Sequence, residues 1–257
     1  KYDRIGTHYN QTRRADPFIA KRLYQLLSAD AEGQYLEIGC GTGNYTHALV
    51  NKGLNMMGLD PSTKMLNQAK SIESGIDWKI GTAEKTDLPD DSIDGIVCVL
   101  TIHHWTDLKA AFRELSRILK VNGRVVIFTS NREQTKGYWL NHYFPKMMAK
   151  SIQQLPAIED MEEAMRNAGL RISHAETYVV KDDLRDHFLY CGKNRPMLYF
   201  NEEIRAGISS FADLANEAEV LSGLQRLEAD IKSTEITEVM KSYSHNWGDY
   251  LFLVARS

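Results

Sequence analysis

Three glycines at alternate positions, Gly39, Gly41 and Gly43, lie in the run Tyr35-Leu36-Glu37-Ile38-Gly39-Cys40-Gly41-Thr42-Gly43-Asn44. Apolar residues precede them and a helical pattern follows. Glycine lets the backbone turn tightly and lets a ligand approach the main chain where a Cβ would push it away. The start of the helix beyond offers unpaired N–H groups. A dinucleotide fingerprint would read GxGxxG; here the spacing is GxGxG, and Asn44 stands where the third glycine would be. Tight strand-to-helix turns also carry glycines for structural reasons alone, so this run is a weak signal by itself. Asp60 strengthens it by closing the next apolar run, 17 residues beyond Gly43. A carboxylate at a strand's carboxyl end faces the crevice and can accept from both hydroxyls of a ribose. Each such charge-assisted bond contributes roughly 1.5–3 kcal/mol. The competing reading makes Asp60 a helix cap in Asp60-Pro61-Ser62, but Ser62 caps equally well and would leave Asp60 free. Further on, His103 and His104 follow another apolar run. Imidazole titrates near neutral pH, which makes them candidates for general-base catalysis; the competing reading has them hold a loop or pack beneath a ligand.

The elements that must position these residues follow from periodicity and punctuation. Asp16 can cap a first helix, Asp16 to Ser28, with Pro17 in its first turn and Ile19, Leu23, Leu26 and Leu27 on one face. A strand over Gln34 to Ile38 leads into the glycine turn, and a helix runs from about Asn44 to Val50. The second strand is Asn55 to Asp60, a helix starts around Ser62, and the third strand is about Ile76 to Gly81. The fourth, Gly95 to Val99, is continuously apolar, as a strand buried on both faces should be. A helix over Asp107 to Leu119 and a fifth strand over Arg124 to Thr129 follow. Strands alternating with helices imply right-handed βαβ units and a parallel, doubly wound α/β sheet. Beyond this the pattern loosens. Residues 131–156 are rich in aromatics (Tyr138, Trp139, His142, Tyr143, Phe144), a helix over about Glu159 to Ala168 stops at Gly169, and strand six is roughly Ala175 to Val180. A polar, helical stretch over 183–246 includes Glu217 to Ile231, and Tyr250 to Ala255 reads as a last strand.

The 257 residues suffice for one large domain, so 1–257 is expected to be single, with a cofactor-binding core at 30–130. Hydrophobic residues make up 43% and charged residues 25%, which is ordinary globular composition. With a net charge of −3 and no dense Lys/Arg run, nucleic acid is not the expected partner. Cys40, Cys98 and Cys191 are odd in number and widely spaced, which argues against a disulfide framework or a structural zinc site. No metal is expected, and a reducing, cytoplasmic setting is. No apolar run approaches a membrane span.

Four stretches in order, LEIGCGTGNYT, GLDPSTKML, GTAEKTDLPDDSIDGIVCVLTIHHW and FRELSRILKVNGRVVIFT, resemble class I S-adenosylmethionine-dependent methyltransferases, closely over about residues 34–130. The opening YDRIGTHYNQTRRADPFI is similar to bacterial methyltransferases of secondary or antibiotic metabolism. The resemblance implies S-adenosylmethionine as cofactor and a seven-stranded, mostly parallel Rossmann-like sheet whose last strand is antiparallel. It implies that Glu37 and the backbone around Gly39, Cys40, Gly41 and Gly43 hold the methionine part, and that Asp60 takes the ribose. Met65 would pack on the adenine with Pro61 and Ser62 near it; plain core packing competes for Met65. Ala83 and Glu84 would flank the adenine edge, although Glu84 also reads as a solvated loop carboxylate. Leu100 would line the sulfonium side. Where the family often places an acidic residue after the third strand's glycine, this chain has Thr82, which leaves the reading of the adenine amine open. Tyr9, Arg13 and Arg14 could touch the cofactor, an arginine pairing with its carboxylate; a solvated basic turn is the alternative.

Ligands of a parallel sheet bind beyond the strands' carboxyl ends, so 131–156 and 183–246 fall on the cofactor's side. With the N-terminal segment they would form a helical lid over a small-molecule pocket; the same helices could instead form a homodimer interface. His142, Tyr138, Tyr143, His187, Tyr190 and Cys191 are further candidates for substrate contact. Val99-Leu100-Thr101-Ile102 lacks the (D/N)PP(Y/F) motif of amino-group DNA methylation, and no Pro-Cys pair exists. The expected reaction is in-line methyl transfer to an O, N or C nucleophile of a small molecule. The alternatives are another S-adenosylmethionine-using transfer, a nicotinamide dehydrogenase, or a non-catalytic binding or regulatory protein.

Overall fold

Residues 95–99 and 125–128 are apolar and buried throughout, as strands covered on both faces should be. The computed structural model describes residues 12–30, 32–73 and 75–257; Tyr9 lies outside them. Seven strands form one sheet in the order β3-β2-β1-β4-β5-β7-β6. They are β1 (Gln34–Ile38), β2 (Asn55–Asp60), β3 (Asp77–Ile80), β4 (Ile93–Val99), β5 (Leu119–Thr129), β6 (Arg171–Tyr178) and β7 (Tyr250–Arg256). β1 to β5 pair in parallel, whereas β7 runs antiparallel to both β5 and β6. Chain order reverses direction at β1 and β4, which opens a crevice at their carboxyl ends, the place where such sheets bind ligands.

Side chains alternate across the sheet. On β4, Ile96 and Cys98 face one apolar layer and Val97 and Val99 the other. The helices are α1 (Pro17–Leu27), α2 (Asn44–Val50), α3 (Thr63–Ile72), α4 (Leu108–Ile118), α5 (Arg132–Lys136), α6 (Leu140–Tyr143), α7 (Pro145–Gln154), α8 (Ile158–Asn167), α9 (Glu202–Ala206), α10 (Glu217–Ser233) and α11 (Ile236–Ser242). α4 and α8 cover the first layer with Phe112, Leu115, Met161 and Met165. α1 covers the second with Ile19 and Leu23. Tyr138, Trp139, Tyr143 and Phe144 join that same cluster, so the aromatic stretch packs into the layer beside the sheet. Asp16 caps α1 by accepting from the Phe18 and Ile19 N–H groups.

Three strands begin earlier than the sequence reading places them. β5 begins at Leu119, ahead of the expected Arg124, because Leu119 pairs with Ile93 before an irregular stretch through Asn122 and Gly123, with Asn122 in the left-handed region at φ 67°. β4 likewise begins at Ile93. β6 runs from Arg171 to Tyr178, earlier than the expected Ala175 to Val180. It is an edge strand whose side chains are mostly solvated, so it carries no apolar alternation to mark its start. Among the described residues, no helix is long and apolar enough to cross a membrane.

Candidate active site

The turn after β1 is fixed from both sides. The Gly39 and Cys40 N–H groups donate to the Leu59 carbonyl at 2.8 and 3.1 Å, tying the turn to β2. Gly39 has φ +68°, and a Cβ there would lie 2.0 Å from Thr101 Oγ1, on the segment after β4; at Gly43, with φ +78°, it would lie 2.3 Å from the Trp78 ring. Both glycines are therefore required by packing. Gly41 differs. Its φ is +55°, a Cβ there would meet nothing within 4 Å, and it lines a cavity at the crevice. The protein leaves that backbone open to a ligand.

Asp60 ends β2 beside it. Its Oδ2 accepts the Gly41 N–H at 2.9 Å and its Oδ1 accepts the Ser62 N–H at 2.8 Å. Asp60 is therefore not left free by the Ser62 cap, contrary to what the sequence suggests. Ser62 does cap α3, accepting the Met65 N–H at 3.3 Å, yet each Asp60 oxygen also has a backbone partner. A carboxylate has about four lone-pair sites, so acceptor capacity remains. Asp60 is 6% exposed and lines the cavity. Burial pushes its carboxyl up, and the Ser62 and Gly41 N–H groups oppose that rise.

Gly39, Gly41, Asp60, Pro61, Met65, Leu100, His103 and His104 come together around this cavity. Leu100 follows β4 in the left-handed region at φ 49°, and its N–H donates to the Phe128 carbonyl at 2.8 Å. A bulky residue there is strained, and a 3-10 turn, Ile102–His104, follows. The two imidazole rings of that turn are 3.9 Å apart, tilted, and both border the cavity.

Other expected residues lie elsewhere. Glu37 is buried behind the turn, accepts the Thr46 hydroxyl and does not border the cavity. Burial pushes its carboxyl up to about 8, with the Asp60 and Asp186 charges adding to the rise. Cys40 packs with Leu66 and Trp78, and burial holds its thiol well above the ordinary value. Ala83 is in the core layer with α4. Glu84 Oε1 accepts the Thr106 N–H at 2.7 Å, its hydroxyl at 3.0 Å and the Asp107 N–H at 3.3 Å, so it ties the histidine turn to the loop after β3. Burial would raise the Glu84 carboxyl, but these bonds bring it below its ordinary value. Arg14 is exposed and away from the cavity.

Arg13, its neighbour, lines the cavity instead. Its Nε and Nη2 donate to Asp186 at 2.5 and 3.4 Å, and the Tyr45 hydroxyl donates to the same carboxylate at 3.1 Å. The Asn44 amide donates to the Arg13 carbonyl at 2.8 Å, so the residue standing in for a third glycine holds the arginine's backbone. Sequence spacing gave no signal for Asp186, 173 residues from Arg13. Ser151, Ser210 and Tyr250 also line the cavity without having been singled out. Of the proposed substrate contacts, Tyr138, Tyr143, Tyr190 and Cys191 are buried in the aromatic core. Among the described residues, no cluster of His, Cys, Asp and Glu could hold a metal.

The family model for a methyltransferase domain matches residues 36–127. An uncharacterized methyltransferase of Mycobacterium bovis is 29% identical over 134 residues, 52% of this chain and 55% of that protein. The chain spans about half the length of the curated relatives it matches. Among solved structures, a candidate methyltransferase from an antibiotic biosynthesis pathway of Anabaena variabilis is 34% identical, covers 96% of this chain and 100% of its own, and superposes with a TM-score of 0.85. The [4+2]-cyclase SpnF shares the fold with a TM-score of 0.64 at 17% identity, over 100% of this chain and 93% of its own.

Proposed function

Because the chain belongs to the class I methyltransferase family, we propose that it binds S-adenosylmethionine at the β1–β4 crevice and directs methyl transfer to a small-molecule acceptor. The observation that carries this is the pairing of Gly41 and Asp60: a left-handed glycine with no neighbour where its Cβ would be, beside a carboxylate held on two backbone N–H groups. That cradle suits an adenosyl ligand, with Asp60 accepting from the ribose hydroxyls, Met65 and Pro61 flanking the adenine, and Arg13 within the cavity to meet the amino-acid carboxylate.

When bound, S-adenosylmethionine supplies an activated methyl group, the electrophile of an in-line displacement. The chain's part is alignment and exclusion of water. Leu100, His103 and His104 line the cavity; Leu100 would border the sulfonium side, and one of the histidines would receive a proton if the acceptor must lose one. The stretches 131–156 and 183–246 are the lid of this reading, contributing Thr135, Leu155, Phe188 and Ile208 to the cavity wall. A cytoplasmic setting fits three buried cysteines that form no disulfide. The fold is also that of a cyclase, so turnover is the test that matters. Incubation with methyl-labelled S-adenosylmethionine and a panel of small hydroxy, amino and enol compounds should move label into an acceptor. Cofactor binding with no transfer to any acceptor class would favour the binding-protein alternative.

A further inference from the structure

The two chain segments that roof the cavity meet inside it through a pair of serines. Ser151 lies on α7, and Ser210 starts a π-helical turn, Ser210–Leu214. Their Oγ atoms are 3.0 Å apart, either can be the donor, and both residues line the cavity while being 9% and 5% exposed. One hydrogen bond between two hydroxyls uses one of their two protons. The pair therefore keeps one O–H to donate and lone pairs to accept with. The Thr135 hydroxyl on the same wall is already committed to the Asn131 carbonyl and lies 3.3 Å from Ser130 Oγ.

The charges are distributed unevenly. Among the described lining residues, Arg13 and Asp60 are the ones with permanent charge, and each has protein partners: Asp186 for Arg13, and the Gly41 and Ser62 N–H groups for Asp60. His103 and His104 stand on the turn after β4. The roof around the serines contributes Leu155, Phe188, Leu189 and Ile208; the Arg13 guanidinium reaches it at the Gly207 carbonyl, 3.4 Å away, and is already paired with Asp186. A carboxylate or phosphate lodged there would lose its water and meet only a guanidinium whose charge Asp186 already balances.

We propose that Ser151 and Ser210 form an acceptor subsite for an uncharged hydrogen-bonding group, a carbonyl or hydroxyl, and that the methyl acceptor is neutral where it contacts the roof. This rests on the cofactor reading above. The test uses protein saturated with S-adenosylhomocysteine and ligand-observed NMR titration with matched probes: acetophenone and 4-hydroxyacetophenone against benzoate and 4-hydroxybenzoate. The ketones should bind at least tenfold more tightly than the carboxylates. Ser151→Ala and Ser210→Ala should each weaken the ketones about fivefold, with S-adenosylhomocysteine affinity and melting temperature preserved. Carboxylates binding as well as the ketones, ketone binding indifferent to both serines, or no probe binding at all would each overturn the subsite. Failure of the wild-type protein to take up S-adenosylhomocysteine would instead overturn the cofactor reading first.

Discussion

Asp60 at the end of β2 holds the N–H of Gly41, in the turn after β1, at 2.9 Å, and Gly41 is the turn glycine whose missing side chain leaves room for the proposed ligand. A methyl group at Gly41 meets no protein atom, whereas one at Gly39 meets Thr101 at 2.0 Å. Gly41→Ala should therefore fold, with a loss of about 1–2 kcal/mol from the left-handed backbone. Its affinity for S-adenosylhomocysteine should nonetheless fall tenfold or more. Gly39→Ala should lower the melting temperature much further. Calorimetry and thermal melts on the two variants check this, and equal effects on binding and stability in both would remove the distinction.

Arg13 gives a second contrast. If its guanidinium, braced by Asp186 and Tyr45, meets the cofactor carboxylate, Arg13→Ala should weaken S-adenosylhomocysteine about tenfold. It should leave 5′-methylthioadenosine, which lacks that carboxylate, within about twofold. Arg14→Ala should change neither. Parallel loss of both ligands in Arg13→Ala would point to a structural role.

Glu37 predicts a pH dependence of stability. Burial raises its carboxyl from an ordinary 4.5 to about 8, so the folded state binds this proton more tightly than the unfolded state. The stabilisation is full below about pH 4.5 and is lost as pH rises through 8. Glu37→Gln should flatten that decline between pH 5 and 8.5, measured as urea-unfolding midpoints. An unchanged slope would mean that Glu37 is ionised in the fold.

His103 and His104 share a turn and border the cavity. Replacing both by glutamine should lower turnover about 10²-fold or more, the usual span of general-base catalysis. S-adenosylhomocysteine affinity should stay within about twofold. Turnover near the wild-type level would mean that alignment alone carries the reaction.

The sequence made the crevice legible because its signals are local. β1, α2 and β2 span Gln34–Ile38, Asn44–Val50 and Asn55–Asp60, the ranges that the glycines and apolar runs had marked. Asp60 was singled out because it ends a recognisable apolar strand and the histidines because they come soon after another, whereas Leu100 was named through the family resemblance. The pairs Arg13–Asp186 and Ser151–Ser210 were not found, since they join residues 173 and 59 positions apart and tertiary pairing leaves no periodicity in either partner. Glu37 and Glu84 show the opposite limit. Their positions were readable, but whether each faces a ligand or braces a loop depends on partners such as Thr46 and Thr106 that spacing cannot supply.

The most direct measurement is calorimetric titration of the protein with S-adenosylhomocysteine, S-adenosylmethionine and NADH, repeated on Asp60→Ala and Asp60→Asn with folding checked by melting. The account predicts micromolar binding of the two adenosyl ligands, none of NADH, and at least tenfold weaker binding in both folded variants. Absence of adenosyl binding, or binding indifferent to Asp60, would contradict it.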